Sequence, residues 1–111
     1  MEIIWADSAK QDLNNIQKYI SIDSEYHAEK LIDRIIKKVD VLKRYPEIGR
    51  PLPNKKGTRQ LIEPPYRIFY RVLPEHIRIT HVYHFKQNKW QKAEKENVEV
   101  IWIFKKKPPP G

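Results

Sequence analysis

The segment Pro65-Tyr66-Arg67-Ile68-Phe69-Tyr70-Arg71, continued by Ile77-Arg78-Ile79-Thr80-His81-Val82-Tyr83-His84, constrains the fold more than any other part of this chain. Arginine, tyrosine and histidine are interleaved there with aliphatic residues at the spacing of a strand. Successive side chains of a strand point to opposite sides, so Tyr66, Ile68, Tyr70 and Val72 share one face while Arg67, Phe69 and Arg71 share the other. The segment reads as a hairpin, turning at Pro74-Glu75, with one face that builds a core and one that presents guanidinium groups.

Upstream, the apolar period changes from that of a strand to that of a helix. Glu2-Ile3-Ile4-Trp5 is a short apolar strand, after which Asp7-Ser8 offers a helix N-cap and Gln11 completes a capping-box pattern. Ala9, Leu13, Ile16 and Ile20 then recur at three- and four-residue spacing, which predicts an amphipathic helix over about 8–21. Asp23-Ser24 caps a second helix with the stripe Ala28, Leu31, Ile32, Ile35, Ile36, Val39 and Leu42, ending where Pro46 forces Tyr45 out of helical geometry. Pro46 to Gly57 holds three prolines and two glycines and is expected to be a surface loop. Strands follow at about 58–63, 66–73 and 76–85. The order is β-α-α-β-β-β, and the helical hairpin must lay its apolar stripe on the strands. The predicted class is α/β (α+β).

With 111 residues the chain is long enough for one domain with a modest core and needs no crosslinks. It has no cysteine, so a disulfide or thiolate metal site is ruled out. No apolar run approaches the roughly 20 residues that span a bilayer, and the N-terminus lacks a signal-peptide pattern, so a cytoplasmic location and no membrane partner are expected. Charge is segregated: residues 1–48 carry 8 Lys/Arg against 9 Asp/Glu, whereas residues 49–111 carry 14 against 5. A one-sided positive field of this kind suits a phosphate-rich or strongly acidic partner. The compact pattern covers 1–88. Residues 89–111 are polar, then β-prone (Val98 to Phe104), then basic and proline-rich, and are expected to lie outside the domain pattern unless that strand pairs with this chain or a neighbour.

The ordered set Ala9-x-x-Asp12-Leu13-x-x-Ile16-x-x-Tyr19-Ile20, Ala28, Leu42-x-x-x-Pro46-x-x-Gly49-Arg50, Arg59-x-Leu61, Tyr66-Arg67-Ile68-x-Tyr70-Arg71 and Ile79-x-x-Val82-x-His84 resembles the RelE/ParE toxins of bacterial type II toxin–antitoxin modules. The resemblance implies a helical hairpin packed on a small, twisted, mainly antiparallel sheet. It also implies a cognate antitoxin as partner, an oligomer formed with it, and a role in growth arrest and plasmid stabilisation. RelE-like members cut messenger RNA in the ribosomal A site; ParE-like members poison DNA gyrase.

For the ribonuclease alternative, cleavage needs a base, an acid and cations for the charged phosphorane: Arg67 and Arg71 would clamp the phosphate, His84 or Lys86 would handle protons and Tyr83 would stack on a base, and the resemblance places Arg67 at a phosphate-binding arginine and Lys86 near a C-terminal basic pair. Gln87 stands where a second basic residue is expected, and the preceding strand offers Arg59 alone. The ParE-like features Gly49-Arg50-Pro51, Pro65 to Arg71 and Val82-Tyr83-His84 are better filled, so gyrase inhibition is the expected activity. Target-binding residues are then Arg50, Lys55, Lys56, Arg59, Arg71 and Tyr83. A plain nucleic-acid-binding sheet ranks behind both, because Phe69 is the one clear aromatic platform on the arginine face. No cofactor is expected, and no metal: His81 and His84 point to opposite faces of their strand. Tyr66 and Tyr70 are expected in the core with their hydroxyls at its edge, and Asp12 and Asp33 in solvent.

Overall fold

The computed structural model describes residues 1–87, so the expected boundary at 88/89 and everything predicted for the tail lie outside the described residues. The chain runs β1 (Glu2–Trp5), α1 (Asp7–Ser21), α2 (Glu25–Asp40), a 3-10 turn at Val41–Lys43, β2 (Arg50–Pro51), β3 (Thr58–Glu63), β4 (Tyr66–Val72) and β5 (His76–His84), with a second 3-10 turn at Phe85–Gln87. The five strands form one sheet in the order β1-β5-β4-β3-β2. β1 lies parallel to β5, and the remaining pairs are antiparallel. The expected order thus holds, with one addition: the two residues Arg50–Pro51 inside the predicted loop pair with Gln60 and Arg59. Proline is tolerated there because β2 is a sheet edge.

Among the described residues, both helices lie on one face of the sheet. Ile16, Leu31, Ile35, Val39 and Leu42 from the helical side meet Leu61, Tyr66, Ile68, Tyr70, Ile77, Ile79 and Val82 from the strands in one buried cluster. Tyr66, Ile68 and Tyr70 therefore face the core as their alternation predicts. Burial pushes the Tyr66 hydroxyl up to about 12 and raises that of Tyr70 as well.

The two helix starts differ. Ser24 caps α2 as expected, accepting a hydrogen bond from the His27 N–H at 3.1 Å. The capping box on α1 does not form. That helix begins at Asp7 behind Ala6, with no side-chain cap, and the Ser8 hydroxyl instead donates to the Thr80 carbonyl at 2.6 Å. Gln11 donates to Asn15. The reason is topological: β1 pairs with β5 only as far as Trp5↔Ile79, leaving the next stretch of β5 with an unpaired edge. The start of α1 takes over that edge. Ala6 N–H donates to the Ile79 carbonyl, Ser8 serves Thr80, and the Asp12 carboxylate accepts from the Val82 N–H at 2.9 Å. Asp12 is thus not a solvated surface residue, because a strand edge without a neighbouring strand must find partners elsewhere.

Candidate functional site

The face of the sheet turned away from the helices carries the charge. Register places Arg50, Gln60, Phe69 and His81 in one row across β2, β3, β4 and β5; Thr58, Arg71 and Arg78 in the next; and Ile62, Arg67 and Tyr83 in a third. Between residues 49 and 87 eight Lys/Arg stand against Glu63 and Glu75. Glu63 belongs to the opposite face, where it pairs with Arg34 of α2 at 3.5 Å, and Glu75 lies in the β4–β5 turn. Arg50, Arg67, Arg71 and Arg78, in register on this face, therefore make it cationic among the described residues.

A bulge shapes this face. Phe69 pairs with His81 but Tyr70 pairs with Ile79, so Thr80 is an extra residue in β5. The shift lets Ile77, Ile79 and Val82 all enter the core although an unbroken strand would send Val82 to the other side. It equally turns His81 and Tyr83 outward. The Thr80 hydroxyl secures the bulge by donating to the Phe69 carbonyl at 3.1 Å.

Beside the bulge lies a cleft of about 340 Å³ lined by Lys55, Lys56, Thr58, Phe69, Arg71, Thr80, His81 and Tyr83. Its wall of cations comes from the loop before β3. That loop turns through Gly57, at φ +82°, and the Arg71 guanidinium rests so close that a Cβ on Gly57 would lie 3.1 Å from it. Its aromatic side is a stack: His81 lies on Tyr83 with centroids 4.9 Å apart and rings inclined by 16°, and Tyr83 meets Phe69 edge-on at 5.6 Å. Phe69 is only 4% exposed, so it is the floor of the cleft and not the open stacking platform its place on the arginine face suggested. The Asp12 carboxylate that caps β5 also holds His81 Nδ1 at 3.2 Å. In that contact the carboxylate accepts and Nδ1 donates.

The residues singled out from sequence divide into three groups. Lys55, Lys56, Arg71 and Tyr83 line the cleft, and Arg50 is exposed on the same face at its β2 edge. Arg59 points to the other side, opposite Tyr70, and its guanidinium donates to the carbonyls of Glu47 and Gly49 at 3.1 and 2.7 Å. It braces the loop. The ribonuclease candidates do not converge: Arg67 packs over the Phe85 ring at 4.9 Å on the open face, whereas His84 is opposite Tyr66 and meets its ring edge-on at 5.2 Å on the helix side. His84 Nδ1 accepts from the backbone N–H of Lys86, whose side chain is exposed. His81 and Asp12 are the site residues that sequence reasoning missed. A helix residue 69 positions away gives no local signal of the contact. Among the described residues, no three His, Cys, Asp or Glu side chains assemble as a metal site would need.

A helical hairpin on one face of a five-stranded mixed sheet, with the other face cationic, defines a RelE/ParE-type toxin module. The fold is shared by a solved chromosomal ParDE toxin–antitoxin system from P. aeruginosa, at a TM-score of 0.66 and 26% identity over 76% of this chain and 95% of that one. It is also shared by the RelBE2 toxin–antitoxin complex from Mycobacterium tuberculosis, at 0.58 and 21% identity over 75% and 95%. Residues 3–89 match the family described as the ParE toxin of the type II toxin–antitoxin system parDE, and the chain belongs to that family. A relative from Sinorhizobium fredii, Y4kP, provisionally named as a toxin, is 39% identical over 72 residues, spanning 63% of this chain and 74% of its own length. The protein is thus a toxin of a type II toxin–antitoxin system.

Proposed function

We propose that this toxin arrests growth in the cytoplasm by inhibiting DNA gyrase and is held in check by a cognate antitoxin encoded with it. The observation that carries the choice of target, beyond membership of the ParE family, is the separation of Arg67 and His84 onto opposite faces of the sheet. A phosphate gripped by Arg67 is screened by the sheet from a proton carried by His84, so the RelE-like arrangement of phosphate clamp and proton carrier is missing. An inhibitor has no such requirement, since it needs only a surface complementary to its target. The open cationic face supplies that surface through Arg50, Lys55, Lys56 and Arg71, with Tyr83 in the cleft wall and Arg59 holding the loop. The antitoxin is supported by the two structural neighbours, both described as toxin–antitoxin assemblies. An acidic antitoxin segment would match the charge of this face. Among the described residues, no helix is long and apolar enough to cross a membrane.

The test sets two assays side by side: gyrase supercoiling of relaxed plasmid, and messenger cleavage with and without ribosomes, each repeated with the protein of the neighbouring reading frame added. Inhibition of supercoiling that the added protein relieves is the expected result. Cleavage that depends on ribosomes, with supercoiling untouched, overturns the assignment.

A further inference from the structure

Among the described residues, the sheet has one strand whose outer edge runs open from end to end. Arg50–Pro51 covers Arg59 and Gln60 of β3 and leaves only Leu61 to Glu63 uncovered, and the start of α1 fills the side of β5 beyond Ile79. β1 stands last in the order, with β5 on one side and no described strand on the other. Ala6 donates its N–H to the Ile79 carbonyl, so by the alternation of a parallel pair Ile4 turns its main-chain groups toward β5 while Ile3 and Trp5 turn theirs outward. The edge stops at Met1, whose amino group donates to the Lys43 carbonyl of the 3-10 turn at 3.2 Å. The side chains of β1 are as unfinished as its backbone. Ile3 and Trp5 pack on the core but are only partly buried, and Ile4, alternating to the open face, is 38% exposed. An edge of this kind is a template for one more strand.

We propose that Val98-Glu99-Val100-Ile101-Trp102-Ile103-Phe104 of the same chain takes this edge, antiparallel to β1. All but Glu99 are β-branched or aromatic, the residue types that suit a strand. Direction follows from topology: β1 and β5 are parallel and the chain leaves β5 at the end remote from Glu2, so a returning segment runs opposite to both. It also has the reach. The added strand lies two positions from β5, about 10 Å across the sheet, and starts at the level of Trp5, about 17 Å back from His84 along it. Residues 88–97 extend to about 33 Å and cover that distance. Alternation divides the segment as it divides β1. Val100, Trp102 and Phe104 fall on the side of Ile3 and Trp5 and finish their burial, while Ile101 and Ile103 fall on the side of Ile4. A second copy would bring only the four residues of its own β1, at solution concentration, whereas the connection 88–97 holds the segment at an effective concentration in the millimolar range. The proposal is independent of which target the toxin acts on.

The chain has no cysteine, so one introduced pair reads the contact without ambiguity. On the outer edge Ile4 is a non-hydrogen-bonded position, where opposed Cα atoms lie about 4.5 Å apart, within the span of a disulfide. Ile4→Cys is combined with Ile101→Cys or with Ile103→Cys in the full chain and oxidised with oxidised glutathione. One of the two combinations is expected to close an intramolecular bridge, read as loss of both thiol hydrogens in the intact mass and a monomer band on a non-reducing gel. Ile4→Cys with Val100→Cys, on opposite faces, should stay reduced. Hydrogen exchange gives a second readout that needs no cysteine. The Ile3 and Trp5 amides should be protected in the unaltered chain, and Ile101→Pro should speed their exchange on the order of tenfold, the net worth of one hydrogen bond, while Ile68 in the middle of the sheet keeps its protection. A disulfide-linked dimer would give the edge to a second copy, and a bridge to Ile62→Cys in preference to Ile4→Cys would give the segment to β3; either overturns the proposal. So do the absence of any bridge, bridging by Val100→Cys as readily as by Ile101→Cys or Ile103→Cys, and Ile3 and Trp5 amides that exchange equally fast with and without the proline.

Discussion

Replacing Tyr70 by phenylalanine tests how the loop that carries Lys55 and Lys56 is fastened. Tyr70 is fully buried, and its hydroxyl works in both directions, donating to the Pro46 carbonyl at 2.9 Å and accepting from the Gly49 N–H at 2.8 Å. Gly49 is itself buried, and its approach is so close that a Cβ there would lie 2.5 Å from the Tyr70 oxygen and 2.7 Å from the Gln60 carbonyl. Phenylalanine keeps the ring and so leaves no cavity. It removes two hydrogen bonds, each worth about 1 kcal/mol net, and leaves the buried Gly49 N–H without its acceptor, which costs about 1–3 kcal/mol by itself. The expected loss is about 2–3 kcal/mol, a sizeable part of the roughly 5–15 kcal/mol that holds a domain of this size folded. The melting temperature should fall by about 8–20 °C. Urea denaturation should show the midpoint moving with the slope unchanged, since no surface is newly exposed. Native-state hydrogen exchange should show Gly49 losing protection well beyond that global loss, because its N–H loses the acceptor that holds it. Gly49→Ala should be worse than Tyr70→Phe, as backbone blocks the new methyl on one side. A loss below about 0.5 kcal/mol for Tyr70→Phe, the net worth of one weak hydrogen bond, would refute the reasoning and show that the hydroxyl exchanges its partners for water at no cost.

Three further outcomes are expected. Tyr66 is protonated in the fold up to about pH 12 and ionises near 10 when unfolded, so the native state holds the extra proton between those values. Stability is therefore fully present below pH 10 and falls as pH rises through 10 to 12, by up to about 2.7 kcal/mol; Tyr66→Phe should flatten that decline in urea titrations across the window. Asp12→Ala leaves the Val82 N–H without its charged acceptor and should cost about 1.5–3 kcal/mol by chemical denaturation, whereas Asp12→Asn keeps an acceptor oxygen and should cost clearly less. Ile35→Ala, at a site with no exposed surface under the helical hairpin, should cost about 2–5 kcal/mol in the same measurement, while Ile36→Ala on the exposed side of α2 should stay within about 1 kcal/mol.

Sequence alone determined what depends on neighbours along the chain. The three- and four-residue spacing from Ala9 to Leu42 specified two helices and their buried stripe except Ile36, which the structure leaves exposed, Ser24 specified where the second begins, and the alternation from Tyr66 to Val72 specified which tyrosines enter the core. The segregation of charge into the half that follows residue 48 likewise belongs to the sequence, and with it the expectation of an anionic partner. The tertiary structure decided what depends on residues far apart. In β5, Ile77 and Ile79 have one parity and Val82 the other, and alternation cannot bury all three. Only pairing against β4, with Thr80 extruded as a bulge, resolves the conflict, and the same extrusion turns His81 and Tyr83 toward the Lys55–Lys56 loop. Asp12 reads as an ordinary polar helix position until β1 ends early and leaves the β5 edge open; then its carboxylate becomes the acceptor for Val82 and the anchor for His81. The separation of Arg67 from His84 arises in the same way, because which face a side chain takes is fixed by the register of whole strands and not by its distance along the chain.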